Sequence, residues 1–135
     1  MKLKGISYWA ASLLLAGLLG LLIFWVSEPD HYEKMDELAE KISENPGEEA
    51  VRDLLNYPSD GAYSYYQMAL IGAAFSHHPE VFDRMADGQL SERERFQFER
   101  LARLGSRVFE DYPELKPKEF DDQYARFDES LERFK

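Results

Sequence analysis

The chain contains no cysteine, which removes disulfides, thiol nucleophiles and thiolate metal sites. Valine is scarce, and no long alternating run of β-branched residues occurs, so there is little from which to build strands. Imidazole is limited to His31, His77 and His78. His77 and His78 are adjacent, and on a helix they diverge by about 100°. Helical metal sites instead converge ligands at i, i+3 or i+4. The pair is expected to meet the last carbonyls of a helix rather than a metal or haem. Neither a G-x-S-x-G elbow nor a G-x-x-x-x-G-K-[ST] or G-x-G-x-x-G loop is present. No catalytic residue, metal ligand or cofactor is assigned.

Charge is missing from one long stretch. Ile6 to Val26, ISYWAASLLLAGLLGLLIFWV, carries none across 21 residues. At about 1.5 Å per residue it reaches roughly 30 Å, the hydrocarbon thickness of a bilayer. A cleaved signal peptide has a shorter apolar core ending in small residues. Here the core continues into Phe24, Trp25 and Val26. Leu15-Ala16-Gly17 has no cysteine after it, so lipid attachment is absent. The expectation is an uncleaved single-pass signal anchor at 6–26, with Tyr8, Trp9, Phe24 and Trp25 at the two interfaces. Lys2 and Lys4 precede it, and Glu28 and Asp30 follow. The positive-inside rule then places 1–5 in the cytoplasm and 27–135 on the far side of the inner (cytoplasmic) membrane, periplasmic or extracellular. Ser12, Ala16 and Gly20 share one helix face with Gly17 beside them. Small residues at this spacing let helices pack closely in lipid.

Beyond the span the balance is acidic. All 26 Asp and Glu lie there, with 14 of the 16 Lys and Arg, a net charge of −12. Such a surface repels nucleic acid and anionic headgroups and suits a basic protein partner. About 108 residues suffice for one core and not for two ordinary domains.

Prolines and glycines divide this part into helical segments, giving an all-α domain of five or six helices. Asp30 to Glu44 is the first, stopped by Asn45-Pro46-Gly47, and Glu48 to Tyr57 the second. Ser59 or Asp60 caps a third that runs to about His77. It is uncharged and reads as the central buried helix, with Gly72, Ala73 and Ala74 allowing close packing. Glu80 to Ala86 follows Pro79. Ser91-x-x-Glu94 is a capping box opening a helix to about Tyr112. The last helix spans Lys118 to Phe134, with Phe120, Tyr124, Phe127, Leu131 and Phe134 on one stripe. That stripe reads as core, with a docking face for a partner helix as its alternative. Tyr65 and Tyr66 are expected to pack with their hydroxyls at the rim, and Tyr63 to be the exposed contact. Tyr63, Tyr65, Tyr66, Phe120, Tyr124 and Phe127 are thus the candidate partner contacts.

The reading is a membrane-anchored protein-interaction module with a membrane-embedded or basic protein partner. It is either an accessory subunit of a membrane complex or an immunity-type inhibitor of a toxin. Two alternatives stand beside it. One is a cell-envelope hydrolase, which needs two carboxylates about 5–10 Å apart across a cleft. The other is a small-ligand sensory domain with a pocket near Tyr65, Met68 and Phe75, of at least about 300 Å³. The anchor is checked by fractionation: the full chain should resist alkaline carbonate extraction from membranes, and residues 28–135 alone should leave the pellet. Release of the full chain by carbonate would contradict a spanning helix.

Overall fold

The computed structural model describes residues 30–135. The anchor at 6–26, with Ser12, Ala16, Gly17 and Gly20, lies outside them. No helix among the described residues is long and apolar enough to cross a membrane. Six helices follow in order, with no strand among the described residues: α1 (His31–Glu44), α2 (Glu48–Leu55), α3 (Gly61–His77), α4 (Pro79–Asp87), α5 (Glu92–Leu104) and α6 (Phe120–Glu132). Short 3₁₀ turns at Gly105–Phe109 and Pro113–Leu115 link the last two. Residues 31–135 form one compact unit.

The arrangement follows from one uncharged helix. α3 packs against each of the other five helices and both 3₁₀ turns. Nine of its residues are buried, from Gln67 to Ser76. The others are amphipathic covers. α1 contributes Met35 and Ile42, α2 Val51, Leu54 and Leu55, and α4 Val81, Phe82 and Met85, all at helical spacing. Phe75 is the hub of an aromatic cluster. Its ring centroid lies 5.5 Å from Phe82, 6.1 Å from Phe120 and 6.0 Å from Phe127, in edge-to-face geometry.

The C-terminal stripe closes this core. Phe120, Leu131 and Phe134 are buried, and Tyr124 and Phe127 are half-buried. Phe120 is 0% exposed and has no surface to offer a partner, although its spacing had made it a candidate contact.

The helix expected to run from Ser91 to about Tyr112 is shorter. It stops at Leu104 because Gly105 takes φ 54° and ψ −130°, a conformation that glycine adopts without steric cost. The chain then turns back so that Val108 and Phe109 reach Gly72. A Cβ built on Gly72 would stand 2.7 Å from Val108 Cγ2 and 2.9 Å from Phe109 Cζ. The Tyr124 hydroxyl donates to the Ala102 carbonyl at 2.6 Å, satisfying an acceptor that the break leaves free. The last helix likewise begins at Phe120 rather than Lys118.

Gly72→Ala should therefore cost about 1–3 kcal/mol through overpacking against a branched and an aromatic side chain. Gly105→Ala should cost about 1–2 kcal/mol through its backbone. Urea midpoints at constant m-value measure both. An unchanged midpoint for Gly72→Ala would mean that the α3–3₁₀ contact is looser than described.

Candidate functional site

α2 has only eight residues, too few to be stable alone. Its C-terminal carbonyls end among buried side chains and must be paired. Two glutamines do this. Gln67 Nε2 donates to the Leu54 carbonyl at 2.8 Å and to the Tyr57 carbonyl at 2.9 Å. Gln97 Nε2 donates to the Leu55 carbonyl at 3.5 Å and to Gln67 Oε1 at 3.4 Å. Ser59 also donates to Gln67 Oε1. Because every partner of the two Nε2 atoms is an acceptor, both amides are fixed in direction. Gln97 Oε1 is then turned away from them. It is buried and has no hydrogen-bond partner among the described residues, in a residue 3% exposed.

Beside the glutamines lies Glu94, the one buried carboxylate among the described residues. It accepts from Asn56 Nδ2 at 2.7 Å, from the Ser91 amide at 2.9 Å and from Arg52. The Ser91 hydroxyl accepts from the Glu94 amide at 3.2 Å, completing the expected capping box. Burial pushes the Glu94 carboxyl up. The Ser91 amide, Asn56 and Arg52 overcome that and hold it below the ordinary value of 4.5.

Above this polar floor is an open groove of about 890 Å³ between the start of α3 and one face of α5. Ser59, Asp60, Ser64 and Gln67 form one wall, and Arg93, Phe96, Gln97 and Arg100 the other. The α5 residues fall at i, i+3, i+4 and i+7, so a single helix face presents them. Arg93 Nη2 donates to the Tyr57 carbonyl at 2.8 Å. The Arg100 guanidinium lies over the Phe96 ring, 5.7 Å from its centroid. Arg100 also lines a neighbouring cleft of about 270 Å³ with Tyr65 and Met68, and so stands between the two.

The candidate tyrosines separate. Tyr65 is 55% exposed and Phe96 51%, the two large hydrophobic residues so exposed among those described. Tyr63, expected to be the outward one, is half-buried with its ring 4.8 Å from both His31 and Tyr32. Tyr66 is half-buried against Tyr32 and Tyr112, and its hydroxyl donates to Asp36. α3 is apolar around most of its circumference, so its sequence gives no polar face from which to fix its rotation. Gln67, Gln97 and Arg100 were not singled out by sequence reasoning; the sequence pattern has Phe96 widening the apolar stripe of its helix, whereas it stands exposed. An amide inside an uncharged apolar stretch was the available signal for Gln67.

His77 reaches Glu119 at 3.3 Å and His78 lies 3.9 Å from Glu80. The backbone amide of His78, rather than an imidazole, pairs with the Ala74 carbonyl at 2.9 Å. No cluster of three His, Cys, Asp or Glu able to hold a metal occurs among the described residues. The pocket imagined near Tyr65, Met68 and Phe75 is divided: Tyr65 and Met68 line the smaller cleft, and Phe75 lies in the aromatic core. No family model matches the chain, and neither does any curated protein or solved structure.

Glu94 makes a pH prediction. Folding lowers its pKa, so its stabilisation is present above the unfolded value near 4.5 and is lost as pH falls through the folded value. Glu94→Gln keeps a capping side chain and loses the charge, and should cost about 1–3 kcal/mol at pH 7. Glu94→Ala should cost more. Thermal melts between pH 7 and pH 3 should show a shallower acid loss in Glu94→Gln than in the parent. Parallel curves would place the acid sensitivity elsewhere.

Proposed function

We propose that this chain is a membrane-tethered protein-interaction module. Residues 6–26 are its anchor, and the helical domain presents the α3–α5 groove to a protein partner outside the cytoplasm. The observation that carries this reading is the trio Tyr65, Phe96 and Arg100. In a domain that buries its other large apolar side chains at least in part, two aromatics stand more than half exposed on either side of one arginine. Tyrosine, phenylalanine and arginine are the residue types enriched at protein interfaces. The groove is an open surface cleft, a shape that receives an extended segment rather than enclosing a small molecule.

The hydrolase alternative lacks physical support. A general acid needs a raised pKa, whereas the buried carboxylate Glu94 is lowered and already held by three donors. A second buried carboxylate to pair with it does not occur among the described residues. Anchoring raises the effective concentration of the groove near a membrane partner. That suits an accessory subunit and an immunity-type inhibitor alike, and the identity of the captured protein separates them.

Tyr65→Ala and Phe96→Ala are surface truncations and should leave the melting midpoint nearly unchanged, within about 0.5 kcal/mol. Each should weaken partner capture about tenfold or more. Crosslinking in intact membranes, followed by affinity purification of the full chain, measures this. An undiminished set of captured proteins in the double variant would contradict the assignment of this face.

A further inference from the structure

The outward face of α5 carries opposite charge on its two flanks. Phe96 stands 51% exposed at its centre. At 3.6 residues per turn, Arg93 and Arg100, at i−3 and i+4, fall about 40–60° to one side of it, and Glu92 and Glu99, at i−4 and i+3, fall about as far to the other. Glu92 and Arg93 are exposed, and Glu99 and Arg100 are half-buried. None of the four forms an ion pair among the described residues.

Most of the domain repels a second copy of itself. Residues 30–60 hold ten acids and three bases, so faces built from α1 and α2 meet like charge. Residues 92–111 hold five arginines and five acids, and two copies can approach there without net repulsion.

We infer that the occupant of the α5 face is the same face of a second copy, with the two α5 helices running parallel about a two-fold axis between them. Phe96 then lies on the second copy's Phe96. Glu92 faces the second copy's Arg93, and Glu99 its Arg100. The symmetry makes each ion pair twice, as an isologous contact requires. Turning one helix end for end would set glutamates against glutamates and arginines against arginines, so the charges select the parallel pairing. An aromatic pair ringed by charges follows the anatomy of protein interfaces, an apolar centre with a polar rim. Exposed ion pairs contribute little individually. The contact is therefore weak between free domains, and confinement of both copies to one membrane supplies the concentration that sustains it.

This inference rests on the interaction reading of the same face and names its occupant. The chain has no cysteine, so an introduced thiol has no rival within it. Arg103, seven residues after Phe96, lies on the same stripe and near the two-fold axis. In membranes containing the full chain, Arg103→Cys should give a disulfide-linked dimer under mild oxidation, and Glu40→Cys, exposed on α1, should not. In the Arg103→Cys background, Glu92→Arg with Glu99→Arg should lower the dimer yield about tenfold, and so should Arg93→Glu with Arg100→Glu. Co-expression of the two charge-reversed chains should restore it, with circular dichroism melts showing that each folds. Three results overturn the inference: no link through Cys at 103, a yield indifferent to charge reversal, and no recovery when the two folded variants are mixed. The second is what association through residues 6–26 alone would give. In each of these cases a loss of capture of other proteins by Tyr65→Ala and Phe96→Ala would still uphold the interaction reading, so the two failures are distinguishable.

Discussion

A short helix that ends inside a protein must have its last carbonyls satisfied there, and this constraint organises the domain. α2 cannot bury Val51, Leu54 and Leu55 unless the carbonyls of Leu54, Leu55 and Tyr57 find donors. Gln67 from the central helix and Gln97 from α5 supply them, so three helices are tied at one point. Glu94 reinforces it by joining the start of α5 to Arg52 and Asn56 of the α2 region. Removing one member of such a network leaves buried polar groups unpaired, which costs more than the lost bond itself. The groove lies directly above this polar junction, and Asn56, Gln67 and Gln97 belong to both.

The elements legible in the sequence were those with local chemical punctuation. Asn45-Pro46-Gly47, Pro58, Pro79 and the Ser91–Glu94 box mark ends that the structure reproduces within one or two residues. Gly105 was illegible because the apolar spacing continues through it to Val108, Phe109 and Tyr112. A single glycine in a periodic pattern is more often tolerated than obeyed. What accompanies the break is tertiary: beyond Gly105 the chain packs Val108 and Phe109 closely against Gly72 of the central helix.

The site was less legible than the fold. Tyr63 and Tyr65 exchanged roles because α3 is buried on almost every side, so its rotation is set by five neighbours rather than by its own pattern. The C-terminal stripe was readable as core because α6 has a charged outer face that fixes its phase. The clamp glutamines carry no spacing signature. A buried amide is defined by carbonyls that approach it from distant segments, and those distances of 10, 13 and 42 residues in sequence have no local trace.

Acidic composition and an arginine-lined groove are compatible. At physiological ionic strength, fields between exposed charges fade within about 8 Å. A partner is therefore met by the acidic charges nearest its own surface, while a group already seated in the groove responds to Arg93, Arg100, Asp60, Glu92 and the dipoles within a few ångströms. The two scales select differently. The outer field disfavours polyanions and favours a partner with basic surroundings. The groove itself sets Arg93 and Arg100 against Asp60 and Glu92 around the exposed Phe96 ring. A protein segment with basic surroundings and an apolar side chain to lay on Phe96 would match both scales.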